Sequence, residues 1–251
     1  MRIIAVMNQK GGVGKSTTTM NIAHALALSG QQVLALDMDP QGHLAAGLGV
    51  HHPENGGLDE VLLEKADLKT VLLPAREKLL LAPAGNRLAE FETVSAGGAE
   101  RGWYLKEAVE QSANGEDYVL IDCPPSAGLL AMNALFAAEE ILVPVSGDYL
   151  ALHGLSRFIQ ILKHIDESLN RESRMWVALT RYYGRRRLAQ EVRDKLMEYL
   201  PGCVLVTPVR ECVALAESPS YGQTIFEYQN QSNGAEDYRA LAADLMHERT
   251  L

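Results

Sequence analysis

Asn8-Gln9-Lys10-Gly11-Gly12-Val13-Gly14-Lys15-Ser16-Thr17 stands between two strongly patterned segments. Before it, residues 2–7 (Arg-Ile-Ile-Ala-Val-Met) form a short apolar run, which predicts a buried strand of a parallel sheet. After Ser16, an Ala/Leu/Met/Ile-rich segment runs to Ser29 and meets Gly30, which predicts a helix with a glycine stop. A glycine-rich loop between a strand and a helix aims backbone N–H groups at one point, in line with the helix dipole. That is an anion cradle, and Gly14-Lys15-Ser16 makes it a cradle for nucleotide phosphates. The backbone of Gly11, Gly12, Val13, Gly14, Lys15, Ser16 and Thr17 would line it. Lys15 would reach the β/γ-phosphates, and the Ser16 hydroxyl would ligate Mg²⁺.

The same pattern continues outward. Residues 32–37 read as a second strand that ends in an acid and leads into Asp37-Met38-Asp39-Pro40-Gln41-Gly42, where Pro40 and Gly42 predict a turn. Carboxylates at the carboxyl end of a strand lie on the edge where open parallel sheets bind ligands. Downstream, Tyr118-Val119-Leu120-Ile121-Asp122 is an apolar strand ending in aspartate, a Walker B arrangement that places Asp122 to hold Mg²⁺ through a water. Pro124-Pro125 then forces an extended turn. Further strands are expected at 78–82, 141–145 and 175–180. Helices are expected at 58–65, 102–112, 148–169, 188–200 and 234–247, with a flexible break at Ser95–Ala99. The fold class expected is α/β: a doubly wound, mostly parallel sheet of about seven strands with helices on both faces, a P-loop NTPase. Residues 1–251 would form a single domain.

Composition narrows the function. No run of about 18 apolar residues exists, which argues against a membrane span, and the N-terminus has no signal-peptide pattern. Three cysteines without CxxC spacing read as reduced cytoplasmic thiols. Seven scattered histidines, with His51-His52 in an expected loop, give no transition-metal pattern. The net charge of −9 argues against binding nucleic acid through the whole surface. Yet from Arg171 to Lys195 there are eight basic residues and three acidic ones, net +5. At its centre lies Arg181-Tyr182-Tyr183-Gly184-Arg185-Arg186-Arg187. Arginines at a helix start oppose the helix dipole, so stability does not account for their clustering there.

Lys-Gly-Gly-Val-Gly-Lys-Ser-Thr, with Gln9 where a standard loop has glycine and with the extra Lys10, resembles the deviant Walker A loop of the ParA/MinD family of ATPases. D-x-D-P-Q-G resembles that family's switch I and D-x-P-P its switch II, and the resemblance extends through Ile225–Tyr228 and Gly234–Tyr238. It implies that Lys10 reaches across a dimer interface to the partner's nucleotide. It also implies that Asp39 helps position the attacking water and that Asp37 lies at the Mg²⁺ side. Lys10, Lys15 and Asp39 are therefore the catalytic candidates, and Ser16, Asp37 and Asp122 the metal candidates, with ATP and Mg²⁺ as cofactors.

Among branches, a MinD-like cycle would need a C-terminal amphipathic helix with a basic face, and a nitrogenase-reductase relative would need paired cysteines. Neither is present, which leaves the ParA (Soj-like) branch. It implies a homodimer with ATP, a hydrolysis-stimulating adaptor and non-specific double-stranded DNA contacted at Arg185; the basic run adds Arg181, Arg186 and Arg187 as DNA-binding candidates. It further implies nucleoid association in the cytoplasm and a cargo such as a plasmid, a chromosome origin or a protein body. Ala214 stands where a second DNA-contacting arginine is expected, with Arg210 nearby. The absence of an N-terminal helix-turn-helix argues against operator-specific repression. The alternative is an ATP-locked recruitment module, or a MinD-like regulator, without DNA-driven cycling.

Overall fold

The computed structural model describes residues 1–50, 56–93, 98–113, 115–147 and 149–251, without the side chains of 149–153. His51-His52, most of the break at Ser95–Ala99, Asp148 and the Leu152 side chain lie outside the described residues.

Among the described residues, seven strands form one sheet: β1 (Arg2–Val6), β2 (Val33–Asp37), β3 (Leu73–Arg76), β4 (Leu79–Ala82), β5 (Tyr118–Asp122), β6 (Glu140–Ser146) and β7 (Arg174–Thr180). Their spatial order is β3-β4-β2-β5-β1-β6-β7, and every pairing is parallel except β3 with β4. The helices are α1 (Lys15–Leu28), α2 (His43–Gly47), α3 (Leu58–Glu64), α4 (Glu90–Thr93), α5 (Tyr104–Ser112), α6 (Leu129–Ala137), α7 (Tyr149–Leu169), α8 (Arg187–Tyr199), α9 (Val213–Glu217), α10 (Ile225–Tyr228) and α11 (Asn233–His247).

Side chains alternate across a strand, so β1 serves two cores. Ile3 and Ala5 join the cluster holding Leu58, Val109, Leu130 and Val192. Ile4 and Val6 join the one holding Leu26, Leu44, Tyr238 and Leu241. Both faces are covered, as the unbroken apolar strands require. Helix α1 is buried from Thr18 to Ala27, because it lies between the sheet and α11. Its polar residues are accordingly paired: Thr18 Oγ1 with Tyr238 Oη at 3.1 Å, and Asn21 Oδ1 accepting from the Ile225 amide at 2.9 Å.

Strand β3 is not expected from sequence. It is four residues long, carries Pro74, and sits antiparallel on the sheet edge, where a missing N–H is tolerated. The opposite edge, β7, is partly capped by the chain returning beside it. Val177 N donates to Cys203 O at 2.8 Å, and Val209 N to Leu179 O at 2.7 Å.

Strand register sets the site. Val6 and Asp37 both pair with Asp122 on β5, so the start of the glycine loop and two aspartates end level on the carboxyl edge. The connection from β1 leaves through α1 on one face, and that from β5 through α6 on the other. The edge between them is where an open α/β sheet takes a ligand.

Candidate nucleotide site and basic surface

Side-chain hydrogen bonds tie the glycine loop to β6 and β7. Asn8 Nδ2 donates to Pro144 O at 2.8 Å, and Asn8 Oδ1 accepts from the Lys10 amide at 3.0 Å. Thr180 Oγ1 donates to Val13 O at 2.8 Å. Gly14 has φ of 87°, a left-handed conformation that strains any residue with a Cβ, and it caps α1 without a side-chain hydrogen bond. The first-turn amides of α1 thus have no side-chain cap, and those amides are the groups an anion satisfies.

Lys15 opens α1 and is 8% exposed. Burial lowers its pKa, opposed by the negative charges of Asp122 and Asp39. Asp122 is fully buried and its pKa is raised, first by burial, with the Ser16 and Thr19 hydroxyls acting in the other direction. Thr19 Oγ1 bridges Lys15 O (3.0 Å) and Asp122 Oδ1 (3.1 Å), while Asp122 Oδ2 has no hydrogen-bond partner. A buried carboxylate oxygen without a partner is costly, and a hard cation with oxygen ligands is what would offset it. The donor set of Ser16 and Asp122 fits Mg²⁺.

Asp37 is placed differently. It is buried, and its oxygens accept from its own turn, Oδ1 from Asp39 N at 3.3 Å and Oδ2 from Ala45 N at 2.9 Å. Burial and the neighbouring Asp122 raise its pKa well above the carboxylate range. Asp39 stands on the turn that Asp37 organises, its Oδ1 accepting from Gln41 N at 3.0 Å. The structure thus brings Lys15, Ser16, Asp37, Asp39 and Asp122 together at one edge. Thr19 and Thr180 are further site contacts that carry no sequence signal of their own. Outside the cradle, Glu92 accepts from the Leu129 and Leu130 amides and so caps α6 behind Pro124-Pro125.

The arginine loop leaves β7 on the same edge. Tyr182 is buried and its amide donates to Val209 O at 2.9 Å, which pins the loop. Arg185, Arg186 and Arg187 are exposed. Arg186 lies over the Tyr183 ring at 4.9 Å, and Arg187 pairs with Glu191 at 2.8 Å with its side chain 92% exposed. Arg181 pairs with Glu211 at 3.1 Å. The first turn of α8 has no acidic residue.

Arg210 does not extend this surface. Its guanidinium binds Asp237 through Nη2 at 2.6 Å and Nε at 2.9 Å, and Glu236 at 2.6 Å. Its charge is internally neutralised, and these carboxylates raise its pKa. Ala214 is buried among the core residues of α9 and offers no cation either. Arg210→Ala should therefore act on stability, because it takes the guanidinium from the buried Asp237 and leaves it the backbone amide of residue 210. The expected loss is about 2 kcal/mol, read by urea denaturation. A variant with wild-type stability would show that Asp237 is satisfied without the arginine.

A doubly wound sheet whose first strand–loop–helix unit presents a buried lysine and a hydroxyl, with an aspartate at the end of β5 facing them, defines the P-loop nucleotide-binding class. A family model described as an AAA domain matches residues 1–175. The chain is 40% identical over 247 residues to the chromosome-partitioning ATPase Soj of Thermus thermophilus, covering 98% of this chain and 96% of that protein. It is 37% identical over 252 residues to the chromosome partitioning protein ParA of Myxococcus xanthus, covering 99% and 89%. A solved structure of cobyrinic acid a,c-diamide synthase from Mycobacterium smegmatis, with bound ATP analog and magnesium, has a TM-score of 0.83 at 31% identity, over 98% of this chain and 95% of that one. The chain belongs to the ParA/MinD family of deviant Walker A ATPases, in its Soj-like branch.

Proposed function

We propose that this protein is a nucleotide-timed positioning ATPase: with ATP and Mg²⁺ it dimerises and binds DNA without sequence preference, and an adaptor on a cargo triggers hydrolysis. The observation that carries this reading is one of placement. The phosphate cradle, with Lys10 and Lys15, and the exposed Arg185–Arg187 cluster occupy the same carboxyl edge of one sheet in a chain of net charge −9.

In this reading the α1 amides and Lys15 hold the phosphates, and Lys15 neutralises charge that develops on them. Ser16 and Asp122 would hold Mg²⁺, which when bound neutralises phosphate oxygens. Asp39, fixed by the turn around Asp37, orients the attacking water, and Asp37 keeps that turn in place beside the metal side. Lys10 reaches the partner's nucleotide, so each site is complete only in the dimer. The arginines meet DNA phosphates, which places the protein on the nucleoid in the cytoplasm. Nothing here calls for a membrane. Among the described residues no helix is long and apolar enough to cross one, and the apolar face of α11 is buried through Tyr238, Leu241 and Leu245.

Asp39→Ala tests the reading directly. The variant should bind ATP and dimerise by light scattering, yet hydrolyse about 100-fold more slowly, because a positioned proton acceptor or water-orienting group typically contributes at least that much. A monomer that turns over at the wild-type rate would overturn it.

A further inference from the structure

Thr180 is the last residue of β7 and is buried, and its hydroxyl donates to the carbonyl of Val13, 167 positions away, at 2.8 Å. A trans peptide puts its C=O and the following N–H on opposite sides. Holding the Val13 carbonyl toward β7 therefore turns the Gly14 N–H away from β7, to the other side of the loop. Val13 is itself buried, so its carbonyl would otherwise lack a donor.

The residue after Thr180 is Arg181, the root of the basic loop, with φ of 48°. A non-glycine residue holds such a backbone only when its surroundings impose it. The rest of the loop has little slack. Tyr182 N is bonded to Val209 O at 2.9 Å, Arg186 N to Tyr183 O at 2.9 Å, and Gln190 Nε2 to Gly184 O at 2.7 Å. A shift of the Val13 peptide must either break its bond to Thr180 or be carried into this braced segment.

We infer that Thr180 is a positioning residue that ties the phosphate loop to the Arg181–Arg187 loop, so that phosphate binding and the order of the basic loop are thermodynamically linked. The nucleotide side of the inference rests on the phosphate-cradle reading above. Linkage is reciprocal, so whatever orders the basic loop also tightens nucleotide binding.

The test uses the full chain with Mg²⁺ and a non-hydrolysable ATP analogue, comparing wild type, Thr180→Val and Thr180→Ser. Valine keeps the shape and removes the hydroxyl; serine restores it. Thr180→Val should bind the analogue about fivefold more weakly, the usual worth of one hydrogen bond. In wild type, the analogue should slow amide hydrogen exchange across residues 181–190. That response should vanish in Thr180→Val and return in Thr180→Ser, which a merely structural role would not produce. Wild-type affinity and exchange response in the valine variant would overturn the inference, as would weakened affinity with the exchange response intact. A DNA-binding arm separates this from the functional reading. A Thr180-dependent exchange response in a protein that binds no DNA sustains the linkage and sinks the DNA assignment. ATP-dependent DNA binding that is unchanged, along with the exchange response, in Thr180→Val does the reverse.

Discussion

Lys15→Ala is expected to lose ATP affinity by roughly 100-fold, the loss of about 3 kcal/mol at the upper end for a hydrogen bond to a charged partner. Three features make the effect large. Lys15 is 8% exposed, so its charge acts where water does not screen it. It stands at the first turn of α1, whose amides carry no side-chain cap and would meet the same phosphates. Its position between Asp122 and Asp39 lets it balance the carboxylates as well as the nucleotide. Stability of the nucleotide-free protein should fall modestly, because the buried Asp122 loses a balancing charge, an effect partly offset by removing the lysine's own desolvation cost. Calorimetric titration with Mg·ATP checks the first expectation and thermal unfolding without nucleotide the second. Wild-type affinity in the variant would mean that the phosphates sit elsewhere.

The second large effect concerns the basic loop. Arg185→Glu, Arg186→Glu and Arg187→Glu combined should abolish ATP-dependent DNA binding while leaving ATP affinity and basal hydrolysis near wild type. All three side chains are exposed, and a two-fold dimer doubles the patch. If every arginine in it meets a phosphate, counterion release gives a log–log salt slope on the order of −5. Charge reversal turns each attraction into repulsion, so the expected loss exceeds that of alanine variants. Scrambled DNA should compete as well as any chosen sequence, because phosphate contacts carry no base information. Fluorescence anisotropy across a salt series, with ATP and with ADP, measures all of this. DNA binding unchanged in the triple variant would move the surface elsewhere. Arg210, spent on Asp237 and Glu236, and Ala214, buried, are not where it would go.

Much of this molecule is legible from local pattern. The apolar runs that become β1, β2, β5, β6 and β7 need no partner to be recognised, because a strand buried on both faces must be apolar throughout. The loop from Asn8 to Thr17 is equally local: glycine for left-handed backbone, lysine and hydroxyl for phosphate and metal, then a helix to aim the amides. The chain by itself therefore determined the class of fold, the ATPase chemistry and the positions of Lys15, Ser16 and Asp122.

What only the tertiary structure decided are relations between residues far apart in sequence. Strand register sets Asp37 level with Asp122, yet the Asp37 oxygens turn to the Asp39 and Ala45 amides. Packing of β7 against the glycine loop brings Thr180 to Val13, and packing of α11 neutralises Arg210 with Asp237. Burial of α9 turns Ala214 inward, and the short β3, with its proline, is a strand only because an edge was open beside β4. The physical reason is common to all of them. A side chain's periodicity and turn chemistry are properties of its own segment, whereas its hydrogen-bond partner and charge balance depend on which layer packs over it.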